Sequence, residues 1–223
     1  MVTFKHNPPI DLIDLKTKNI DGRRYYITPD GQKLPSVTSV LGAKPKPHLF
    51  EWKKRVGEEE ANRITRKSAS RGTALHKICE DYLLNNDKHL VGKMPDAIEM
   101  FKSIKPILDK NITEVWYQEQ ALYGYKVGMA GRCDFLGKWN DEPAIVDFKN
   151  SRWIKTKEDI VDYFVQCTAY ALMFEEMTSI QINKIVVVMA VENEKPLTFI
   201  EKPRDYIEEL VKSIKYFKNK EKK

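Results

Sequence analysis

The segment that most constrains this chain is the apolar run Ala144-Ile145-Val146 closing on Asp147-Phe148-Lys149. It follows the turn-like Trp139-Asn140-Asp141-Glu142-Pro143 and is rich in β-branched residues, so it reads as a buried strand. Side chains alternate along a strand. Asp147 and Lys149 therefore leave the same face, roughly 6.6 Å apart, and Phe148 the other. A buried strand has no packing reason to end in an acid and a base, because buried charges are costly unless paired or bound to metal. An isolated D-x-K can equally be an ordinary strand end at the water boundary, so the weight lies in what surrounds it.

The 223 residues suffice for one large domain, or a domain with an accessory lobe, and the 42% hydrophobic fraction supports a sizeable core. Thirty-eight basic against 32 acidic residues leave a net charge of +6, which permits a polyanionic partner without demanding one. Cys79, Cys133 and Cys167 are odd in number and form no C-x-x-C pair, and the N-terminus lacks signal-peptide and presequence character. The expectation is a cytoplasmic protein with reduced thiols. No apolar run approaches the ~18 residues needed to cross a bilayer, so no membrane partner is expected.

Residues 1–22 read as irregular, followed by a small hairpin around Pro29-Asp30-Gly31. Pro35 to Gly42 offers a hydroxyl-rich helix start and a glycine stop. Helical spacing runs from His48 to about Asn86, with an interruption at Ser70-Arg71-Gly72, and again from Asp96 to Leu108. The period then shortens to two: strands over 114–123, 127–137 and 144–149, a helix over about 158–176, a buried strand at Ile185–Ala190, and a helix from Asp205 to Phe217. The fold class expected is α/β: a mixed central β-sheet flanked by helices, with an N-terminal helical lobe. The lobe would span residues 1–110 and contribute the His76 helix, and the core residues 111–223, the two forming one compact unit.

Polar residues fall in step with this reading. Asp134 lies on the strand before that of Asp147, and the short connection makes the two antiparallel neighbours whose acids converge at one sheet end. His76 and Glu80 share one helix face, as do Gln166 and Tyr170. Arg71-Gly72 would open the His76 helix, where backbone N–H groups favour an anion. Ser151-Arg152 follows Lys149 closely. Two carboxylates and an imidazole make a mixed donor set for a hard cation such as Mg²⁺ or Mn²⁺. Lys149 can position water or stabilise developing negative charge, and Arg71, Arg152 and the Gln166/Tyr170 pair can hold phosphates. His6, His48 and His89 fit no such pattern and read as surface or packing residues. Ile160, Phe164, Cys167, Ala171 and Phe174 read as a core stripe, and Lys218–Lys223 as a solvated tail. Trp52, Tyr25 and Tyr26 suit either base stacking or burial.

Gly131-Arg132-Cys133-Asp134, Val146-Asp147-Phe148-Lys149-Asn150-Ser151 and Gln166 through Tyr170 resemble the G-x-x-D, D-x-K and Q-x-x-x-Y pattern of PD-(D/E)XK nucleases of the RecB-like branch. Arg71-Gly72 through His76 is similar to that branch's R-G-x-x-x-H helix. Pro35–Leu41 and Leu49–Arg55, with Trp52, resemble the region before the core in the mitochondrial genome maintenance exonuclease and its phage relatives. The resemblance covers about residues 35–190. It implies a restriction-endonuclease-like core, metal ligation by His76, Asp134, Asp147 and the Phe148 carbonyl with Glu80 nearby, and Lys149 as catalytic lysine. Gln166 and Tyr170 would support the catalytic site, and Arg71, Ser151 and Arg152 the DNA. The cysteine number and spacing do not fit the iron–sulfur cluster of some relatives, so none is expected. The implied activity is a Mg²⁺- or Mn²⁺-dependent DNA exonuclease preferring single strands, with replication or recombination proteins as partners. The alternatives are an endonuclease of the same fold, restriction-like or of CRISPR-adaptation type, and a catalytically silent DNA-binding module.

Overall fold

The computed structural model describes residues 2–221, apart from the side chain of His48. Lys222 and Lys223 of the expected tail, and the packing of His48, lie outside the described residues.

Two sheets organise the chain. The first is antiparallel, ordered β1-β2-β3, with β1 at Lys16–Ile20, β2 at Arg23–Ile27 and β3 at Lys33–Pro35. The β2–β3 hairpin stands where Pro29-Asp30-Gly31 predicts it, with Tyr26 opposite Leu34. The β1 strand corrects the irregular reading of residues 1–22. Asp21 and Gly22 both take positive φ, 49° and 73°, the conformation that closes a two-residue hairpin. The strand is almost wholly exposed, so it lacks the apolar alternation that reveals a strand.

The second sheet has the order β4-β5-β6-β7-β8. Strands β4 (Ile112–Gly124), β5 (Met129–Trp139) and β6 (Glu142–Ser151) form an antiparallel meander. Strand β7 (Lys184–Val191) pairs parallel to β6, and β8 (Leu197–Glu201), unforeseen in the sequence, pairs antiparallel to β7. Between β6 and β7 the chain crosses over through α5 (Val161–Thr178), as a parallel pair requires.

Helices cover both faces, in agreement with the expected mixed α/β class. On one side α5 buries Phe164, Cys167, Ala171 and Phe174, and Ile160 just before it, against Ile185, Val187 and Met189. Helix α1 (Val37–Leu41) joins this layer; Ser36 caps it by accepting from the Ser39 N–H, and Gly42 ends it. Helix α6 (Ile207–Glu221) adds Leu210 and Phe217. On the other side α3 (Glu58–Leu83) and α4 (Pro95–Asn111) bury Leu75, Ile78, Phe101 and Ile104 against Val146, Phe148 and Val188. The lobe expected over 1–110 and the core expected over 111–223 thus share one apolar layer. No helix among the described residues is long and apolar enough to cross a membrane.

The helical break expected at Ser70-Arg71-Gly72 lies elsewhere. Helix α3 runs 26 residues through it, and the chain turns at Gly57, whose φ of 86° separates α3 from α2 (Pro47–Val56). Gly72 is instead a close-approach residue: a Cβ there would meet Asn150 Oδ1 of β6 at 3.1 Å. Its small size seats α3 against the strand that carries Asp147 and Lys149.

Candidate metal and phosphodiester site

The β5–β6 backbone pairing ends at Phe135 opposite Val146. One residue further, Asp134 turns its carboxylate across the opening, and Asp134 Oδ2 accepts the Phe148 N–H at 2.9 Å. The two acids expected to converge, Asp134 and Asp147, thus meet at the same sheet end. The β4–β5 register has Gln118 opposite Phe135 and Gln120 opposite Cys133, which sets Glu119 across from Asp134. Glu119 takes a left-handed φ of 47°.

From the other layer, α3 brings His76. A carbonyl only accepts, so the 2.6 Å contact between His76 Nε2 and the Phe148 carbonyl puts the ring proton on Nε2. His76 Nδ1 lies 3.5 Å from Asp134 Oδ2. A proton on Nδ1 or a metal ion can each bridge a nitrogen and a carboxylate oxygen at that range. One donor atom from each of His76, Glu119 and Asp134 lies within 4.8 Å of the others. Such a spread matches the separation of ligands around an ion bound at 2.0–2.6 Å. Two carboxylates and an imidazole fixed by a carbonyl on its other nitrogen suit a hard divalent cation. Burial and the neighbouring Asp134 carboxylate both push the Glu119 pKa up, a repulsion that a bound cation would relieve.

Asp147 is buried, and its Oδ2 is in contact with the Lys149 ammonium. Burial pushes the Asp147 carboxyl up, to about 6, against the pull of Lys149. Burial works against the Lys149 charge as well, but the Asp147 and Asp134 carboxylates outweigh it and hold the ammonium form above its usual range. The ammonium also lies 5.0 Å from the centre of the Tyr163 ring. Gln166 Nε2 donates toward Asp147 Oδ1 at 3.4 Å and toward the Tyr170 hydroxyl at 3.3 Å. Tyr170 lies behind this pair, 3% exposed. Its ring is why residue 131 is glycine, since a Cβ there would stand 2.8 Å from Tyr170 Cε1.

Asp147, expected as a metal ligand, lies against Lys149, and the Phe148 carbonyl, expected as another, lies 2.6 Å from His76 Nε2. Glu80 pairs with Lys77 at 2.9 Å and stands outside the close donor group, although it lines the same cavity. Tyr170, expected to support catalysis, is buried behind Gln166, and its hydroxyl accepts from Gln166 Nε2 at 3.3 Å. Arg71 is not at a helix start and cannot use free N–H groups there; it is 5% exposed and bonds Glu192 at 2.9 Å. Ser151 is buried, its hydroxyl held by the Trp153 backbone. Glu119 escaped the sequence reading because no spacing rule links it to Asp134. The signal that could have found it is register: counting back across the Gly124 turn sets the two acids opposite each other.

His76, Glu119 and Lys149 open onto a cavity of about 1480 Å³ that Arg24, Arg55 and Lys155 also line. It is the right scale for a ligand larger than a metabolite, and its rim carries more cations than the site's acids alone would explain.

No protein-family model matches the chain, and no curated protein matches it. Among solved structures, a crystal structure of a protein named SSO0001 aligns at 14% identity with a TM-score of 0.40, covering 80% of this chain and 73% of that one. A second, described as a "Putative exonuclease" from Eubacterium rectale, aligns at 14% identity with a TM-score of 0.43, covering 69% of this chain and 68% of that one.

Proposed function

We propose that this chain is a divalent-metal-dependent deoxyribonuclease: an exonuclease that hydrolyses phosphodiester bonds, prefers single-stranded DNA, and serves replication, recombination or repair. The observation that carries the reading is one juxtaposition: a buried Asp147–Lys149 pair beside the His76, Glu119 and Asp134 donors, opening on a cation-lined cavity.

His76, Glu119 and Asp134 would hold Mg²⁺ or Mn²⁺, which when bound polarises a phosphoryl oxygen and lowers the pKa of water. The remaining steps belong to the chain. Lys149 donates to the attacking water or to a non-bridging phosphate oxygen and offsets the negative charge that builds in the transition state. Asp147 keeps that ammonium charged and aimed. Gln166, braced by Tyr170, fixes Asp147 from the other side. Water oxygen bonds to phosphorus and gives up its proton to solvent as the bond to the leaving sugar oxygen breaks, and that oxygen takes a proton from solvent.

The test follows end-labelled linear and circular single strands with Mn²⁺, Mg²⁺ or chelator. The expected result is metal-dependent release of short products from the linear strand alone. Cleavage of the circle would replace the exonuclease with an endonuclease of the same fold, and no hydrolysis under any metal would leave a DNA-binding module.

A further inference from the structure

The loop after β6 displays Trp153 at 66% exposure, four residues beyond Lys149. A lone exposed aromatic is ordinary on a protein surface. This one differs in three respects. First, it lines the same cavity as Lys149 and His76, with Trp52 of α2 on that lining too. Second, its backbone is held in place. The Ser151 hydroxyl donates to the Trp153 carbonyl at 2.5 Å and accepts the Trp153 N–H at 3.2 Å, and the Ser151 carbonyl accepts the Glu192 N–H at 3.0 Å. Third, the Arg152 guanidinium lies 5.1 Å from the indole centre, which pairs a cation with the ring where a phosphate would pass. Four residues of chain reach at most about 14 Å, so the indole stays near any phosphate that Lys149 contacts.

An unpaired base offers a π-face, and an indole in a cationic groove is the standard means of holding one without reading its identity. A base inside a duplex has both faces covered. We propose that Trp153 is a base-stacking platform for an unpaired nucleotide of the strand whose phosphate lies at Lys149, with Arg152 contacting the adjoining backbone and Ser151 positioning the loop. This rests on the nuclease reading for the phosphate's place, and it makes Trp153 the residue by which the cavity favours unpaired strands.

Binding separates the two ideas, because it is measured in chelator where nothing is hydrolysed. The probes are a fluorescein-labelled oligodeoxythymidylate and an abasic strand of the same length, titrated by anisotropy against wild type, Trp153→Ala and Trp153→Phe. Trp153→Ala is expected to weaken oligodeoxythymidylate binding about five- to 150-fold, the factor matching one stacked base. Trp153→Phe should retain most of the affinity, and the abasic strand should bind wild type and Trp153→Ala equally. Equal affinity of wild type and Trp153→Ala for oligodeoxythymidylate, or the same loss on the abasic strand, would overturn the proposal, as would no binding by wild type. Unchanged circular dichroism confirms that the exposed substitution leaves the fold intact. If wild type binds as expected but hydrolyses nothing with Mn²⁺, the nuclease reading fails while the stacking site stands.

Discussion

Lys149 and Asp147 form an ion pair at the end of β6, and the proposed chemistry depends on it. Their side chains are 17% and 2% exposed, so each neutralises a charge the interior could not otherwise hold. Lys149→Ala should abolish hydrolysis and also lower the thermal midpoint, since removing one partner of a buried pair costs about 3–5 kcal/mol. Replacing both, Asp147→Asn with Lys149→Met, should restore most of that stability without restoring activity. A double variant no more stable than Lys149→Ala would show that the pair is not coupled. Glu119 carries a second prediction at this scale. Mn²⁺ at a hundred times its dissociation constant should stabilise wild type by about 2.7 kcal/mol, read as a rise in thermal midpoint. Glu119→Gln should lose most of that rise while keeping the midpoint in chelator, because it removes the repulsion between Glu119 and Asp134 along with a ligand. An undiminished Mn²⁺ shift would exclude Glu119 from the metal site. The D-x-K pair was legible because Asp134, His76 and Gln166 fall in step with it; alone, an acid and a base at a strand end are ordinary. Glu119 was not, because an acid on a half-buried strand is anomalous only once its neighbour across the sheet is known.

Among the elements, those that bury a whole face announced themselves and those that do not stayed hidden. Strands β5, β6 and β7 have apolar runs or alternation, and α5 has a continuous core stripe. Strand β8 lies at the sheet edge and alternates between half-buried and exposed, and β1 has no apolar face at all. Helix α3 was misread as two because glycine ordinarily weakens a helix; here Gly72 lies inside α3, where a Cβ would crowd the Asn150 side chain. The start of β4 holds an element-scale device of its own. Its register shifts between Ile112 and Glu114, and again between Val115 and Tyr117. Glu114 Oε1 accepts the Trp116 indole N–H at 2.6 Å, and the carboxylate pairs with Lys138 at 3.2 Å and Lys5 at 3.5 Å. The indole hydrogen bond, outweighing burial, holds the Glu114 carboxyl down at about 2. A folded-state value below the ordinary ~4.3 means the stabilisation is full above about pH 5 and disappears as pH falls towards 2. Glu114→Gln should therefore destabilise the protein near neutrality, by about 1–3 kcal/mol, and the gap to wild type should close in acid. Parallel stability curves for the two proteins from pH 7 to pH 3 would contradict that assignment.

At the scale of the whole molecule, the net charge of +6 is modest, and what matters is where the cations stand. Arg24, Arg55, Lys77, Arg152 and Lys155 line the cavity that holds the site; of the two arginines singled out in the sequence, Arg152 is among them and Arg71 is paired with Glu192. Motif position brought together the residues of the candidate centre. Beyond Arg152 and Trp52 it did not identify the walls, because Arg24 of β2, Arg55 of α2 and Lys155 of the β6–α5 loop are brought to the cavity by the fold and not by a motif. If those cations contact a strand's phosphates, binding releases counterions, and the logarithm of the affinity falls linearly with the logarithm of salt concentration at about −0.7 per phosphate contact for a single strand. Lys155→Ala, which removes one cavity cation, should then lower affinity for oligodeoxythymidylate in low salt and flatten the salt slope by about 0.7. Trp153→Ala should lower affinity while leaving the slope unchanged, because stacking releases no counterion. A Lys155→Ala slope equal to that of wild type would mean that the strand does not pass along this wall. A change in slope for Trp153→Ala would mean that the indole acts by holding Arg152 over the backbone and not by receiving a base.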